Sequence, residues 1–340
     1  MIQEQVSILV EFVDDYRFIM TEDKKNWEPS ASIENLKTRS RVLSKIRQFF
    51  LERSVLEVDV PNISRNTVSD PNLDSFSLRH NGLTLYLQTS PEYFLKRLLA
   101  DSREDFFYLG KAFRSGEVGP LHNPEFTILE WYRCGWDEFS LMDEVFDLIK
   151  FISNEYKHSI KSQKFTYLNY FQKIININPH TAPLAQLQET CVKRFGSQWN
   201  DASRTCCLDL LFSQIIQPKL PTGIVFIYDF PECQSGLSEI KECSDYNVSR
   251  RFELFYNSVE LGNGYFELTS GEEQRNRFLR DNIQRKTQFK DSIAVDENLL
   301  SALDHGLPNC SGIAIGFDRL LMCLLGEKTI SSVISFPWES

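Results

Sequence analysis

The chain has 340 residues, 42% apolar and 25% charged, which is ordinary globular usage. That composition excludes a disordered chain, a collagen and a coiled-coil rod. Its 37 Lys and Arg against 47 Asp and Glu leave a net charge of −10, which opposes broad, sequence-independent nucleic-acid binding because that mode needs cations to displace counterions.

Length alone fits about two domains or one large mixed one. Residues 1–35 read as an N-terminal extension and linker. Residues 2–19 have the spacing of a short amphipathic helix, and 21–32 are polar with Pro29. A second reading takes Met20 as the start. From Leu36 the pattern firms: apolar residues recur at helical spacing over 36–53, and 55–60 then alternates as a strand that Pro61 ends. Further strands are predicted at 85–87, 106–112 and 126–132, with an amphipathic helix over 138–152. Residues 155–222 read as short helices and polar turns with nothing chemical in them. Strands return at 224–230, 254–261 and 313–316. Helices are predicted over 271–285, 297–303 and 318–325. Hairpin-length gaps between strands favour an α+β fold, a mostly antiparallel sheet flanked by helices, over a doubly wound one. Neither G-x-G-x-x-G nor G-x-x-x-x-G-K-[ST] opens a helix.

The eight cysteines form no CxxC pair, and the five histidines have no metal spacing. Buried free thiols in a reducing compartment are the expectation. No apolar run approaches the roughly 20 residues that span a bilayer, so the chain reads as soluble and cytoplasmic, with no membrane partner.

Three segments carry chemistry. The first is Phe113-Arg114-Ser115-Gly116-Glu117 with His122-Asn123-Pro124-Glu125-Phe126 and Glu130-Trp131-Tyr132, which reads as strand, turn and returning strand. An arginine at such a strand end can hold a phosphate bidentately, and an aromatic such as Phe126 can stack on a base; a hairpin with a surface ion pair is the bland alternative. The second is Glu260-Leu261-Gly262-Asn263-Gly264-Tyr265-Phe266-Glu267. Its two acids suit Mg²⁺ beside nucleotide phosphates or a substrate ammonium, or form a solvated Gly-rich turn. The third is Gly312-Ile313-Ala314-Ile315-Gly316-Phe317-Asp318-Arg319. Small residues let a ligand approach the backbone. Arg319 at a helix start opposes the helix dipole, so it is kept there either for a ligand anion or by pairing with an acid. A weaker spot is Ser90-Pro91-Glu92 opening a helix.

Together these segments resemble the class II aminoacyl-tRNA synthetase catalytic core. Residues 36–61 resemble motif 1, the dimer-forming element, 113–132 motif 2, and 312–319 motif 3. Thr89-Ser90-Pro91-Glu92-Tyr93 and the stretches 122–127 and 260–267 resemble the lysyl branch. Lysyl enzymes carry an anticodon-binding domain before this core. With at most 35 residues preceding it here, the resemblance is to the truncated lysyl-synthetase paralogues that modify elongation factor P, for which Ala314 in place of glycine is a second sign. The resemblance implies a catalytic domain over 36–340, a homodimer, and ATP with Mg²⁺ as cofactors. Its substrates are a lysine or β-lysine and a lysine side chain of elongation factor P.

For individual residues, the resemblance implies that Arg114 holds the α-phosphate and Arg319 the γ-phosphate or adenine face. Phe126 stacks on adenine, and Asn123, Ser115, Gly116 and Glu117 belong to the same nucleotide site. Glu260 ligates Mg²⁺, with Glu267 as the second acid of that set. Leu261 offers its backbone to the nucleotide and Gly316 gives it room. Ser90, Pro91, Glu92, Glu130, Tyr132, Glu267 and Ala314 receive the amino acid. The sequence departs from the F-R-x-E pattern, because Gly116 stands at the glutamate position and only Glu117 follows. That departure keeps a catalytically silent amino-acid-binding paralogue as the alternative. A tRNA-charging enzyme is a third reading, which the acidic balance opposes.

Overall fold

The computed structural model describes residues 27–153 and 160–338. The helix expected over 2–19 and the possible start at Met20 lie outside them. Helix α1 (Ile33–Leu51) begins where Ser32 caps it, its Oγ accepting from the Asn35 amide at 3.1 Å. That is ahead of Leu36, where periodicity placed the boundary, and the preceding segment is already tied down: the Ser30 amide donates to the Ser335 carbonyl at 2.8 Å. The helix buries Val42, Ile46, Phe49 and Phe50, and Phe50 stacks on Phe107 at 4.5 Å. The strand expected over 55–60 pairs only at β1 (Leu56–Glu57), in parallel with β5 (Phe106–Phe113). At a sheet edge that runs into a proline, little ladder can form.

β5 pairs antiparallel with β6 (Glu125–Cys134), β6 with β12 (Cys310–Gly316), β12 with β11 (Val259–Phe266), and β11 with β10 (Val248–Tyr256). Beyond β10 lies β8 (Ile224–Pro231), with β7 (Ser162–Thr166) parallel to it, and β9 (Ile240–Lys241) also pairs with β10; with β1 this makes nine strands. A separate three-stranded sheet holds β2 (Ile63–Ser64), β4 (Leu83–Leu87) and β3 (Ser77–His80). The α+β reading stands. The strand expected over 254–261 is in fact two strands. Asn257 and Ser258, at φ 48° and 66°, form a tight two-residue hairpin between β10 and β11. Apolar residues flank the turn on both sides and neither turn residue is glycine, so the pattern marks the reversal only weakly.

The pleat sends alternate residues to two helical layers. Phe107, Leu129, Trp131, Ile313 and Ile315 pack against α1, α3 (Glu138–Ser153) and α9 (Phe317–Leu325). Phe106, Tyr108, Ile128 and Tyr132 face α2 (Glu92–Ser102), α7 (Gly271–Thr287) and α8 (Glu297–Gly306). The middle region builds its own aromatic cluster on β8 from α4 (Tyr167–Ile175), α5 (Leu184–Phe195) and α6 (Arg204–Leu211), with Tyr167 stacked between Phe171 and Phe212.

Register then sets up a functional face. One row across the sheet on the α2 side runs Tyr108, Glu130, Ala314, Asn263, Glu253, and the next runs Phe106, Tyr132, Gly312, Tyr265, Arg251. Small residues in the middle of each row hollow out the floor. Gly262 and Gly264 lie within β11 rather than in a turn, and they keep the neighbouring strands close. A Cβ at Gly264 would meet the Phe252 ring and lie 2.9 Å from the Gly312 carbonyl oxygen. Gly264→Ala is expected to destabilise the protein by about 1–3 kcal/mol, read as a lowered denaturant midpoint at an unchanged slope.

Candidate active site

Above this face lies a cavity of about 830 Å³, within the range of sites that enclose small molecules. One end of it is built where β5 ends. The Arg114 amide is pinned to the Pro124 carbonyl at 2.8 Å, and its guanidinium lies 5.1 Å from the centre of the Phe126 ring. The Ser115 amide donates to the Asp74 carbonyl at 2.7 Å. Gly116 then turns the chain at φ +80°, and Glu117 reaches the cavity with its Oε1 3.6 Å from Arg114 Nη1. The turn thus supplies a carboxylate beside Arg114 despite the missing glutamate. Asn123 is held at both ends of its amide, donating to the Glu125 carbonyl and accepting from the Trp338 amide at 2.8 Å.

Arg319, in the first turn of α9, has no ion pair among the described residues. Its Nε donates to the Leu121 carbonyl at 2.9 Å and its Nη1 to the Glu260 carbonyl at 3.1 Å. Pairing with an acid therefore does not explain it, and its positive charge stands free for an anion. Leu261, Ala314 and Gly316 line the same cavity.

The other end is acidic. Ser90 and Glu92 line it, and Pro91 directs the chain into α2 while Ser90 Oγ accepts from the Glu92 amide. Behind them Glu130 accepts from Ser90 Oγ at 2.7 Å and from the Tyr132 hydroxyl at 2.8 Å. Lys96 Nζ lies 2.6 Å from Glu92 Oε1 and 2.7 Å from Glu267 Oε2. Glu267 was expected beside Glu260 as a second metal acid. Instead it is 1% exposed and committed to Lys96. The carboxylate that senses Glu260 is Glu253, which also lines the cavity. Burial raises its carboxyl, Arg251 opposes that, and the Glu260 charge adds to it. Glu253 and Glu260 sit on opposite strands of one hairpin, which suits an ion that takes one or two carboxylates plus phosphate oxygens.

Several lining residues escaped the sequence reading. Thr205 and Asp209 on α6 come from the stretch judged chemically silent, Gln234, Arg251, Gln274 and Arg277 join them, and Asn263 and Tyr265 come from the second chemical segment, where neither was given a role. Arg251 donates to Glu253 at 2.6 Å and to Asn263 at 3.0 Å. Arg251 and Glu253 lie ahead of 254, where the sequence placed the start of this strand. Nothing local marks Asp209, whose partner Gln234 comes from a distant loop. Three buried lining atoms, Thr89 Oγ1, Gln234 Oε1 and Gln274 Nε2, have no hydrogen-bond partner among the described residues. Such orphans cost about 1–3 kcal/mol each, which a polar ligand offsets.

Burial, and then the charge of Glu92, push the Glu130 carboxyl up to about 8. Burial pulls the Lys96 ammonium down, but Glu267 and Glu92 outweigh it and keep it charged. Glu130 therefore holds a proton more tightly in the folded than in the unfolded state, where a glutamate titrates near about 4.3. Its contribution to stability is complete below that value and is lost as pH rises through about 8. The melting temperature of the ligand-free protein is expected to fall from about pH 5 to about pH 8, and Glu130→Gln to flatten that decline, as read by calorimetry.

The family model for class II tRNA synthetases (D, K and N) matches residues 17–340. The chain is similar to the elongation factor P–(R)-β-lysine ligase of Yersinia enterocolitica, 43% identical over 321 residues that cover 92% of this chain and 97% of that one. A protein of the same name from Hamiltonella defensa is 42% identical over 323 residues, with 92% and 98% covered. One from Yersinia pestis is 42% identical over 324 residues, with 93% and 98% covered. The chain belongs to the class II tRNA synthetases of the D, K and N group.

Proposed function

We propose that the protein is an ATP-dependent ligase that activates a lysine-type amino acid, (R)-β-lysine, as its adenylate and transfers it to a lysine side chain of elongation factor P. The observation that carries this reading is the polarity of one cavity. Arg114 and Arg319 offer guanidiniums at one end, and Glu92 lines the other with Glu130 and Glu267 buried behind it. A diammonium amino acid and a triphosphate meet those two ends with opposite charges matched.

The amino acid's carboxylate is already ionised at neutral pH and needs no base to attack the α-phosphorus. The P–O bond to pyrophosphate breaks as the acyl-phosphate bond forms, and Arg114 and Arg319 stabilise charge developing on the phosphates. Phe126 offers a flat apolar face to adenine beneath Arg114. The acceptor amine then attacks the acyl carbon, the amide bond forms, and AMP leaves. Glu260 and Glu253 would hold Mg²⁺, which neutralises phosphate charge when bound. Glu117 beside Arg114 weakens the case for a silent paralogue, since the charge lost at Gly116 returns one residue later.

The exposed apolar residues Ile33, Leu51 and Leu56 on α1 and β1 support a homodimer through that face. No helix among the described residues is long and apolar enough to cross a membrane, and we place the enzyme in the cytoplasm, acting on protein rather than tRNA.

Arg114→Ala is expected to lower amino-acid-dependent ATP–pyrophosphate exchange by on the order of 10²–10³; full exchange in that variant would remove the nucleotide assignment. Glu253→Gln is expected to raise the Mg²⁺ concentration for half-maximal exchange by about tenfold or more, against little change in Mg²⁺ dependence for Glu267→Gln. Mass spectrometry of elongation factor P after incubation with the protein, ATP and each lysine isomer tests the transfer. The expected result is a single β-lysyl addition on one lysine.

A further inference from the structure

The acidic end of the cavity contains a cation that does not line it. Lys96 lies one helical turn beyond Glu92 on α2, is 2% exposed, and bridges Glu92 Oε1 and Glu267 Oε2. Two acids, Glu92 and Glu267, flank this one ammonium, and Glu130 stands beside both of them. Glu130 is engaged by Ser90 and Tyr132. Other polar neighbours include the Cys310 thiol on β12, which senses Glu267 and Lys96, and the Tyr93 and Tyr265 hydroxyls, which sense Glu92.

We infer that Lys96 is a positioning residue for the amino-acid pocket, an internal ammonium that holds Glu92 and Glu267 at one spacing so that their outer oxygens receive the substrate's ammonium. This inference rests on the reading of that pocket given above. Each carboxylate has two oxygens and gives one to Lys96, so Glu92 Oε2 and Glu267 Oε1 are left. Gly312 makes room for the second of these, because a Cβ there would come within 2.8 Å of Glu267 Oε1 and into the Tyr132 ring. A buried acid without a partner neutralises itself by taking a proton rather than stay charged. A protonated Glu267 would present a hydroxyl where an ammonium needs an anion. Burial pushes the Glu267 carboxyl up, and Lys96 opposes that rise before any substrate arrives. Its single charge still leaves acid in excess, and a second ammonium is what completes the balance. A neutral analogue of similar length, such as norleucine, leaves the excess unmatched and is rejected.

The test compares wild type and Lys96→Met in amino-acid-dependent ATP–pyrophosphate exchange. The expected result is an amino-acid KM raised by about 10- to 100-fold, the range set by losing hydrogen bonds to charged groups, with the ATP KM within about twofold of wild type. Lys96→Ala should recover amino-acid affinity when n-propylammonium is added, and not when n-propanol or sodium chloride is added at the same concentration. A purely structural ion pair would lower the melting temperature without separating the two KM values. A folded Lys96→Met enzyme whose amino-acid KM stays within about twofold of wild type overturns the inference. If neither variant folds, Lys96→Arg carries the test: it keeps the charge and should saturate with amino acid within about tenfold of the wild-type KM, and failure to saturate overturns the inference. Absence of lysine-type-dependent exchange in the wild type would instead sink the proposed reaction itself.

Discussion

Negative charge taken out of water must meet positive charge, and much of this molecule is arranged around that constraint. Glu92, Glu130, Glu253 and Glu267 all lie on or behind one face of the central sheet, and each is held by a named donor: Lys96, the Ser90 and Tyr132 hydroxyls, or Arg251. A core of hydrocarbon would be cheaper to bury, because desolvating ions is unfavourable even when they are paired. Charges kept in such a place serve a ligand of opposite sign. The same logic holds at the far end, where Arg319 is braced by two carbonyl oxygens and by no acid among the described residues.

Strand register turns a linear sequence into that arrangement. Residues 130, 253, 263 and 314 are far apart in the chain, yet one line of pairing across four strands puts them side by side. Shifting any one strand by a single residue would send its polar side chains into the aliphatic layer under α1 and α3. Gly262, Gly264 and Gly312 make the alignment possible, because they leave space where strands and rings press closest.

Most of the frame was legible before any coordinates. Long periodic helices and alternating strands such as 106–112 and 126–132 carry their own signal, and the three segments read as chemical, 113–132, 260–267 and 312–319, converge on one cavity. The misses have physical causes. Asn257 and Ser258 adopt left-handed backbone without a glycine, so a hairpin passed for one strand. Glu267 was paired with Glu260 because both lie in one segment, but their neighbours in space differ: Lys96 reaches one and Glu253 the other. Asp209 and Thr205 sit on a helix whose pattern reports only the aromatic cluster it covers, and no one-dimensional signal shows which loop will meet them.

Arg39 ties three distant pieces of chain together. From α1 its Nη1 donates to Asp318 at 2.6 Å and its Nη2 to the Thr127 hydroxyl at 2.7 Å, while the second oxygen of Asp318 accepts from the Thr127 amide at 2.8 Å. Thr127 adjoins Phe126, and Asp318 adjoins Arg319. The Phe126 ring and the Arg319 guanidinium are therefore bolted to a helix that contributes nothing to the cavity wall. Loosening that bolt would blunt the enzyme from behind, and a survey of residues by distance to the nucleotide would look straight past it.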